Sequence, residues 1–170
     1  MRIRPAIRRG LDELEDVEDD AGSLFATIGM DFSNVVPTSR QARHWDAFDE
    51  GVILVADVAN AGLAGFIAVE PLDDGAHVQE LSVRRANQGR GLGRRLMGEA
   101  ERWAREQGYP SLTLTTFRDV PWNAPFYASH GFIEVPPDAM PPGLKGARAE
   151  ETSRGLDRVG HRVAMRKSLV

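Results

Sequence analysis

The pattern of apolar and polar residues along this chain predicts a mixture of strands and helices. Strand-like runs cover residues 2–7, 52–58, 63–70, 76–83, 111–117, 132–135 and 161–169. Apolar residues at helical spacing predict helices over 11–28, 39–48 and 91–107, a short helix after Asn123, and a further helix near 147–155. This order of elements is typical of an α+β fold built on a mixed sheet.

Turn signals set the directions of the strands. Asn-Ala-Gly at 60–62 is a hairpin signal, and Asp-Asp-Gly at 73–75 turns the chain into the next strand, so three successive antiparallel strands are predicted. Strand 111–117 follows a crossover helix and is expected to lie parallel to strand 76–83. Residues 136–160 are too long for a plain connection and are either functional or mobile.

Composition excludes several classes of protein. The length of 170 residues fits a single domain spanning residues 1–170. The absence of cysteine excludes disulfides and thiolate catalysis, and the four histidines lack metal-ligand spacing, so no metal is predicted. A net charge of −4 argues against nucleic acid as a partner. Because no apolar run approaches the roughly 20 residues of a membrane span and no signal peptide is evident, we expect no membrane partner and a cytoplasmic location.

A basic loop punctuated by glycines lies between strand 76–83 and helix 91–107. It reads Gln88-Gly89-Arg90-Gly91-Leu92-Gly93 and is followed by two more arginines. Backbone N–H groups at the start of a helix, together with the helix dipole, favour an anion, so the loop indicates a ligand that carries phosphate. A dinucleotide-binding turn is disfavoured, because the spacing is GxGxG and three antiparallel strands precede the loop.

This loop and its surroundings resemble the GNAT superfamily of acyl-CoA-dependent N-acetyltransferases. The loop matches the family's Q/R-x-x-G-x-G/A motif, and Glu80-Leu81-Ser82-Val83 looks like its fourth strand. Phe126-Tyr127 and Gly131-Phe132 resemble the family's FY…GF signature. The resemblance covers nearly the whole chain. It implies the GNAT fold, a mostly antiparallel seven-stranded sheet flanked by helices, whose central fourth and fifth strands are parallel and splay apart.

The resemblance implies that the chain binds acetyl-CoA as a co-substrate, with the pyrophosphate on the loop amides and the pantetheine arm along the fourth strand. The implied cofactor-binding residues are Leu81, Ser82, Val83, Gln88, Gly89, Arg90, Gly91, Leu92, Gly93, Arg94, Asn123 and Tyr127. Positive charge around the phosphates would come from Arg84, Arg85, Arg90, Arg94 and Arg95, although Arg84 and Arg85 could be solvated residues at a helix start. Asn123 departs from the family pattern, because Val120 occupies the usual place of that asparagine, and Asn123 could simply cap a helix.

The implied reaction transfers an acetyl group from the CoA thioester to a primary amine. An alkyl amine with a pKa of about 10.4 is neutral only about one part in a thousand at pH 7, so a general base is useful. Glu80 is the candidate base, although it could be structural, and His77 is an alternative. The backbone N–H of Leu81 would meet the oxyanion. Tyr127 is the candidate general acid for the thiolate, with a buried core tyrosine as the alternative.

The sequence leaves the acceptor amine open between a small molecule and a peptide amine. Seven acidic residues between Asp12 and Asp20 would suit a cationic acceptor, yet such a run is more often a solvated helix face. Trp45 and Trp122 could wall the acceptor cleft or belong to the core. A CoA-binding regulatory or sensor module with little catalysis is the alternative function. A homodimer is plausible for the family, but no residue pattern decides it.

Overall fold

The computed structural model describes residues 1–59 and 62–170, which form a seven-stranded mixed sheet flanked by helices. The strands are β1 (Arg2–Pro5), β2 (Val52–Val58), β3 (Gly62–Leu72), β4 (Gly75–Val83), β5 (Ser111–Phe117), β6 (Ile133–Val135) and β7 (Arg162–Ser168). The helices are α1 (Glu13–Gly22), α2 (Arg40–Glu50), α3 (Leu92–Glu106), α4 (Ala124–Ala128) and α5 (Pro142–Ser153). Short 3₁₀ turns connect several of these elements.

The order of strands in the sheet is β1-β2-β3-β4-β5-β7-β6. The β1/β2, β2/β3, β5/β7 and β6/β7 pairs are antiparallel. The β4/β5 pair is parallel, with Ala76 opposite Leu112 and His77 opposite Thr113. The predicted mixed, mostly antiparallel sheet with a central parallel pair is therefore confirmed. Of the predicted hairpin turn at 60–62, Asn60 and Ala61 lie outside the described residues.

The described chain divides into two compact units, each assembled from separate stretches of sequence. The first unit contains residues 1–29, 39–70 and 78–103, and the second contains residues 30–38, 71–77 and 104–170. The glycine loop and Glu80 belong to the first unit, whereas Asn123 and Tyr127 belong to the second. That the whole chain is one domain stays a prediction.

The core of the first unit forms where α1 and α2 cover β2 and β3. Leu14 and Val17 of α1 are fully buried there, together with Ala47 of α2 and Phe66 of β3. The hydrophobic effect stabilises each large buried side chain by about 1.5–3 kcal/mol. Trp45 packs against this core, with the Arg8 guanidinium 4.3 Å from its ring centroid. The core interpretation of Trp45 therefore has direct support.

The helix predicted over 11–28 is wrong at both ends, since α1 covers only Glu13–Gly22 and a 3₁₀ turn follows at Phe25–Ile28. Ser23 binds the last turn of the helix. Its hydroxyl donates to the Asp20 carbonyl at 2.6 Å and its backbone N–H donates to the Asp19 carbonyl at 3.1 Å. Serine competes for helical backbone groups in this way, and glycine at position 22 weakens the helix further.

In the second unit, the segment 136–160 contains α5, which begins five residues before the predicted position of 147. Proline at the first helical position is tolerated, because it has no N–H to leave unpaired. The carboxylate that caps the helix comes from Asp73, which accepts from the backbone N–H groups of Gly143 at 2.7 Å and Leu144 at 3.1 Å. At the other end of α5, Val36 and Arg154 exchange two hydrogen bonds of 2.9 Å.

Replacing Asp73 with alanine is expected to lower the free energy of unfolding by about 1–2 kcal/mol, because α5 loses its cap and alanine is strained at the φ of 54° found there. Asp73→Asn, which tolerates that φ and keeps one acceptor oxygen, should lose less. Urea denaturation measures both changes. The neighbouring exposed Asp74→Ala is the control, and an equal loss in that variant would contradict the capping role.

Candidate active site

The glycine loop connects β4 to α3 in the first unit. Gly89 and Gly91 have φ values of 71° and 76°, and a Cβ on either residue would meet no atom within 4 Å. Glycine is therefore needed for the backbone conformation rather than for space. The side-chain amide of Gln88 donates to the Val83 carbonyl at 2.8 Å and ties the loop to the end of the strand. The buried Leu92 anchors the start of α3.

The loop presents positive charge at the N-terminus of α3. Arg90 and Arg94 are exposed beside the first helical turn, whose N–H groups lack partners within the helix. Arg84 and Arg85 instead make structural contacts. Arg84 Nε donates to the Leu63 carbonyl at 2.9 Å, and the backbone N–H of Arg85 donates to the Asp20 carboxylate at 2.7 Å. These two residues hold the loop to β3 and α1, a role that the sequence did not indicate.

Glu80 lies on β4 and is partly buried. The hydroxyl of Ser82, two residues further along the same face of the strand, donates to Glu80 Oε1 at 2.7 Å. Burial raises the pKa of Glu80, and the charge of Glu18 adds to this, whereas the Ser82 hydrogen bond, Arg43 and His44 oppose it. A carboxylate with a raised pKa is a stronger base than an ordinary glutamate, which suits the predicted role.

The backbone of β4 beyond Glu80 is fixed by close contact with β3. A Cβ on Gly65 would lie 2.8 Å from the Ser82 carbonyl oxygen and 3.2 Å from Val83 Cα. Only glycine permits this approach without displacement of one strand. Leu81, Ser82 and Val83, the strand residues predicted to meet the pantetheine arm, therefore lie on a rigidly supported backbone.

The acidic run of α1 is divided between two roles. Glu18 Oε1 lies 2.5 Å from His44 Nε2, Asp19 pairs with Arg40 at 2.5 Å, and Asp20 binds the loop as described above. The exposed acidic residues of the run are Asp12, Glu13, Asp16 and Asp19. The acidic residues at the start of the helix thus form a solvated face, whereas Glu18, Asp19 and Asp20 near its end pair with other residues of the chain. Sequence reasoning did not single out Glu18, because its partner is 26 residues away.

In the second unit, Tyr127 lies on α4 and is partly buried, so it is not the fully enclosed core residue of the alternative interpretation. Its ring centroid lies 5.2 Å from that of Phe126 and 5.9 Å from that of the buried Phe132, both edge-on. Asn123 occupies the N-cap position of α4, but its side chain makes no capping hydrogen bond. Its side chain is thus not committed to capping.

His77, the alternative base, is buried in the second unit. Its Nδ1 lies 2.9 Å from Thr113 Oγ1. Burial lowers the pKa of His77 to about 4, although the charges of Glu151 and Asp73 oppose the shift. A histidine with this pKa is neutral at pH 7 and only weakly basic, so Glu80 is the better candidate.

Glu151 holds α5 against β5 and β7. Arg162 Nη2 donates to Oε1 at 2.6 Å, Arg148 Nη1 donates to Oε2 at 2.6 Å, and the Thr115 hydroxyl donates to Oε1 at 2.5 Å. Burial by itself would raise the pKa of Glu151, but these three donors hold it below the ordinary value. All three contacts satisfy the buried carboxylate, which is the condition for an ion pair to be tolerated away from water.

Comparison with known proteins identifies the family. A model of the acetyltransferase (GNAT) family matches residues 21–132. The chain therefore belongs to the GNAT acetyltransferases, as the resemblance implied. Solved structures share its fold. An acetyltransferase of the GNAT family from Staphylococcus aureus is 15% identical, with a TM-score of 0.76 and coverage of 99% of each chain.

Two further structures with the same fold contain CoA. A Mycobacterium tuberculosis protein in complex with CoA is 17% identical, with a TM-score of 0.72 and coverage of 100% of both chains. The N-acetylglutamate synthase from Neisseria gonorrhoeae, complexed with coenzyme A and N-acetyl-glutamate, is 17% identical with a TM-score of 0.69. That match covers 99% of this chain and 35% of the synthase.

The described residues present neither a metal-binding cluster nor a helix suited to a membrane. In residues 1–59 and 62–170, no group of three or more histidine, aspartate or glutamate side chains is arranged to hold a metal ion. None of the helices in this part of the chain combines the length and the apolar character needed to cross a membrane.

The burial of His77 predicts a pH dependence of stability. The pKa of His77 is about 4 in the folded protein and 6.5 in the unfolded chain, so the unfolded chain binds more protons between pH 4 and pH 6.5. The contribution of His77 to the free energy of unfolding is therefore lost as the pH falls from 6.5 to 4. The loss is at most about 3 kcal/mol. Urea denaturation of His77→Gln and wild type across this range should show a flatter profile for the variant. Parallel profiles would contradict the assignment, and the exposed His161→Gln is the control.

Proposed function

We propose that this GNAT protein transfers an acetyl group from acetyl-CoA to a primary amine. The observation that carries the proposal is the glycine loop, whose positive-φ residues Gly89 and Gly91 open directly into α3 beside exposed arginines. Backbone N–H groups in such a loop bind phosphate. The CoA found in two structures with the same fold supports acetyl-CoA as the donor.

We assign the phosphates of acetyl-CoA to the backbone of residues 88–94, with Arg90 and Arg94 as charge partners. The side chain of Gln88 already binds the Val83 carbonyl, so its contribution to the cofactor would come from its backbone. Leu81, Ser82 and Val83 would bind the pantetheine arm through backbone groups, as strand addition requires. Asn123 would also contact the cofactor, since its side chain makes no capping hydrogen bond to α4.

In the proposed chemistry the acceptor nitrogen loses two protons and the departing thiolate gains one. Glu80 removes the first proton from the acceptor ammonium, and the neutral nitrogen then forms a bond to the thioester carbonyl carbon. The backbone N–H of Leu81 stabilises the oxyanion while the carbon–sulfur bond breaks. Tyr127 donates its hydroxyl proton to the departing thiolate, and the second proton lost by the nitrogen returns to the Tyr127 oxygen, while Glu80 releases its proton to solvent. The raised pKa of Glu80 supports its role as base.

Removing either proton-transfer group should slow turnover, and Glu80→Gln should do so while leaving acetyl-CoA binding intact. We expect Glu80→Gln to lower kcat/KM by about 10²–10⁴-fold and to abolish the loss of activity at low pH, because that loss reflects protonation of Glu80. Tyr127→Phe should lower kcat by about 10²-fold. Thiol release over a panel of amines measures turnover, and calorimetry measures binding.

The exposed Glu134→Gln serves as the control for these two variants. If Tyr127→Phe turns over as fast as wild type, Tyr127 is not the general acid. If wild type binds acetyl-CoA but releases no thiol with any amine, a regulatory or sensor module is the better description of the protein.

The conformation of the loop predicts a separate effect on cofactor affinity. Alanine at position 91 must adopt a φ of 76°, which costs about 1–3 kcal/mol, so the loop leaves the conformation that binds phosphate. We expect Gly91→Ala to weaken acetyl-CoA binding by about 5–100-fold in calorimetry. Gly98→Ala is the matched control, because Gly98 lies in α3 with nothing within 4 Å of an added Cβ. Equal affinity in the two variants would argue against the loop as the phosphate site.

A further inference from the structure

Hydrogen bonds within the first unit tie the entry to the glycine loop to the C-terminal part of α1. The Asp20 carboxylate accepts from the backbone N–H of Arg85 at 2.7 Å, and the Arg85 guanidinium donates to the Ser23 hydroxyl at 3.3 Å. Arg84 Nη1 donates to the Asp16 carbonyl at 3.4 Å. We call these contacts the α1 clasp, and through them both residues that follow β4 are held to α1.

The bond between Asp20 and Arg85 pairs a donor that the loop cannot pair by itself. Arg85 is the first residue of a 3₁₀ turn over Arg85–Asn87, and the first N–H groups of a helical turn have no acceptor within that turn. A hydrogen bond from a backbone N–H to a carboxylate is stronger than one to a neutral acceptor. Asp20 therefore caps this turn, although it lies 65 residues away in sequence.

Apart from this bond, the position of Asp20 is unfavourable for an acidic residue. The last turn of α1 reads Asp19-Asp20-Ala21-Gly22, so two acidic residues and no basic one stand at the negative end of the helix dipole. A carboxylate beside the loop also repels the phosphates that the loop is proposed to bind. Charge therefore disfavours an acid here on both counts, and the hydrogen bond to Arg85 is the contact that gives Asp20 a role.

The clasp fixes one end of a loop whose other end is fixed by α3. Leu92 is buried, and the Arg95 N–H donates to the Gly91 carbonyl at 3.1 Å. Between the two ends, Gly89 and Gly91 hold positive φ values, and glycine leaves such a conformation readily because many others are open to it. The apparent affinity of a ligand falls with the fraction of molecules that are ready to bind it. Holding Arg85 in place raises that fraction.

We propose that Asp20 is a positioning residue for acetyl-CoA binding. It orders the entry to the glycine loop by accepting the Arg85 N–H, and it acts through this hydrogen bond rather than through its charge. The inference rests on the proposed function, since it requires that the loop binds the phosphates of acetyl-CoA. The effect of Asp20 reaches the cofactor through the backbone of residues 85–91.

Calorimetry with acetyl-CoA separates the hydrogen bond of Asp20 from its charge. Asp20→Ala removes both, and we expect the dissociation constant to rise about 3–30-fold, because the loop is ordered in a smaller fraction of molecules. Asp20→Asn keeps an acceptor oxygen and removes the repelling charge, so it should bind acetyl-CoA at least as tightly as wild type. Asp19→Ala, which removes a carboxylate from the same turn, is the control and should match wild type. Wild-type affinity in Asp20→Ala, or equal weakening in Asp20→Asn, would overturn the proposal.

The donor side of the bond supplies a second test. Arg85→Pro removes the N–H, and proline is tolerated at the first position of a helical turn. The preceding Arg84 has a ψ of 141°, which a following proline favours. Arg85→Ala is the matched control, because it loses the same side chain and keeps the N–H.

We expect Arg85→Pro to bind acetyl-CoA about 3–30-fold more weakly than Arg85→Ala. Adding Asp20→Ala to Arg85→Pro should weaken binding no further, since the two changes remove the same hydrogen bond. Equal affinity in Arg85→Pro and Arg85→Ala, or additive losses in the double variant, would overturn the proposal.

Kinetics distinguish this role from a general loss of folding. In Asp20→Ala the KM for acetyl-CoA should rise while kcat stays within about twofold of wild type, whereas partial unfolding would lower kcat and leave KM unchanged. If circular dichroism shows that Asp20→Ala does not fold, the comparison of Arg85→Pro with Arg85→Ala decides. Wild type that binds no acetyl-CoA would overturn the proposed function together with this inference. Binding by wild type with the same affinity in every variant would overturn the inference alone.

Discussion

The partial burial of the Glu80 carboxylate is the constraint around which the first unit is organised. Taking a charged group out of water is costly, so it must be matched by donors and nearby positive charge. Ser82 supplies the donor from the same strand, and α2 supplies Arg43 and His44. These groups offset only part of the cost, so the pKa of Glu80 stays raised, and the residual cost of ionisation makes this carboxylate more basic than a solvated one.

Helix α1 meets this constraint with an unusual distribution of charge. It places Glu18 close enough for its negative charge to raise the pKa of Glu80, and the two carboxylates would repel each other without nearby positive charge. Compensation comes from His44 at 2.5 Å and from Arg40 and Arg43 at 3.8 Å. Two residues later, the Asp20 carboxylate accepts a hydrogen bond from the backbone N–H of Arg85 at the start of the glycine loop. A single helix thus connects the electrostatics of Glu80 to the position of the glycine loop, because Glu18 and Asp20 near its C-terminal end act on one and bind the other.

Local patterns in the sequence were sufficient for most of the fold. The strands and α3 follow from apolar periodicity and turn residues. Either Thr38 or Ser39 could cap α2 on the sequence alone, and Ser39 does so, its hydroxyl oxygen accepting from the Ala42 N–H at 3.1 Å. The two helix errors have different origins. α1 ends early beside Ser23, a neighbouring residue that binds its last turn, whereas α5 begins early because Asp73, about 70 residues away in sequence, supplies its cap. No pattern within α5 contains the information about Asp73.

The same distinction applies to the site. The glycine loop and Tyr127 were recognisable because each is part of a contiguous motif, whereas Glu18 and His44 are 26 residues apart and neither is notable in its own helix. Only the fold reveals that His44 has one nitrogen bound to a carboxylate and the other buried without a partner. A contiguous motif can therefore indicate the donor chemistry of such an enzyme, whereas side chains that pair across helices, as Glu18 and His44 do, become visible only in the fold.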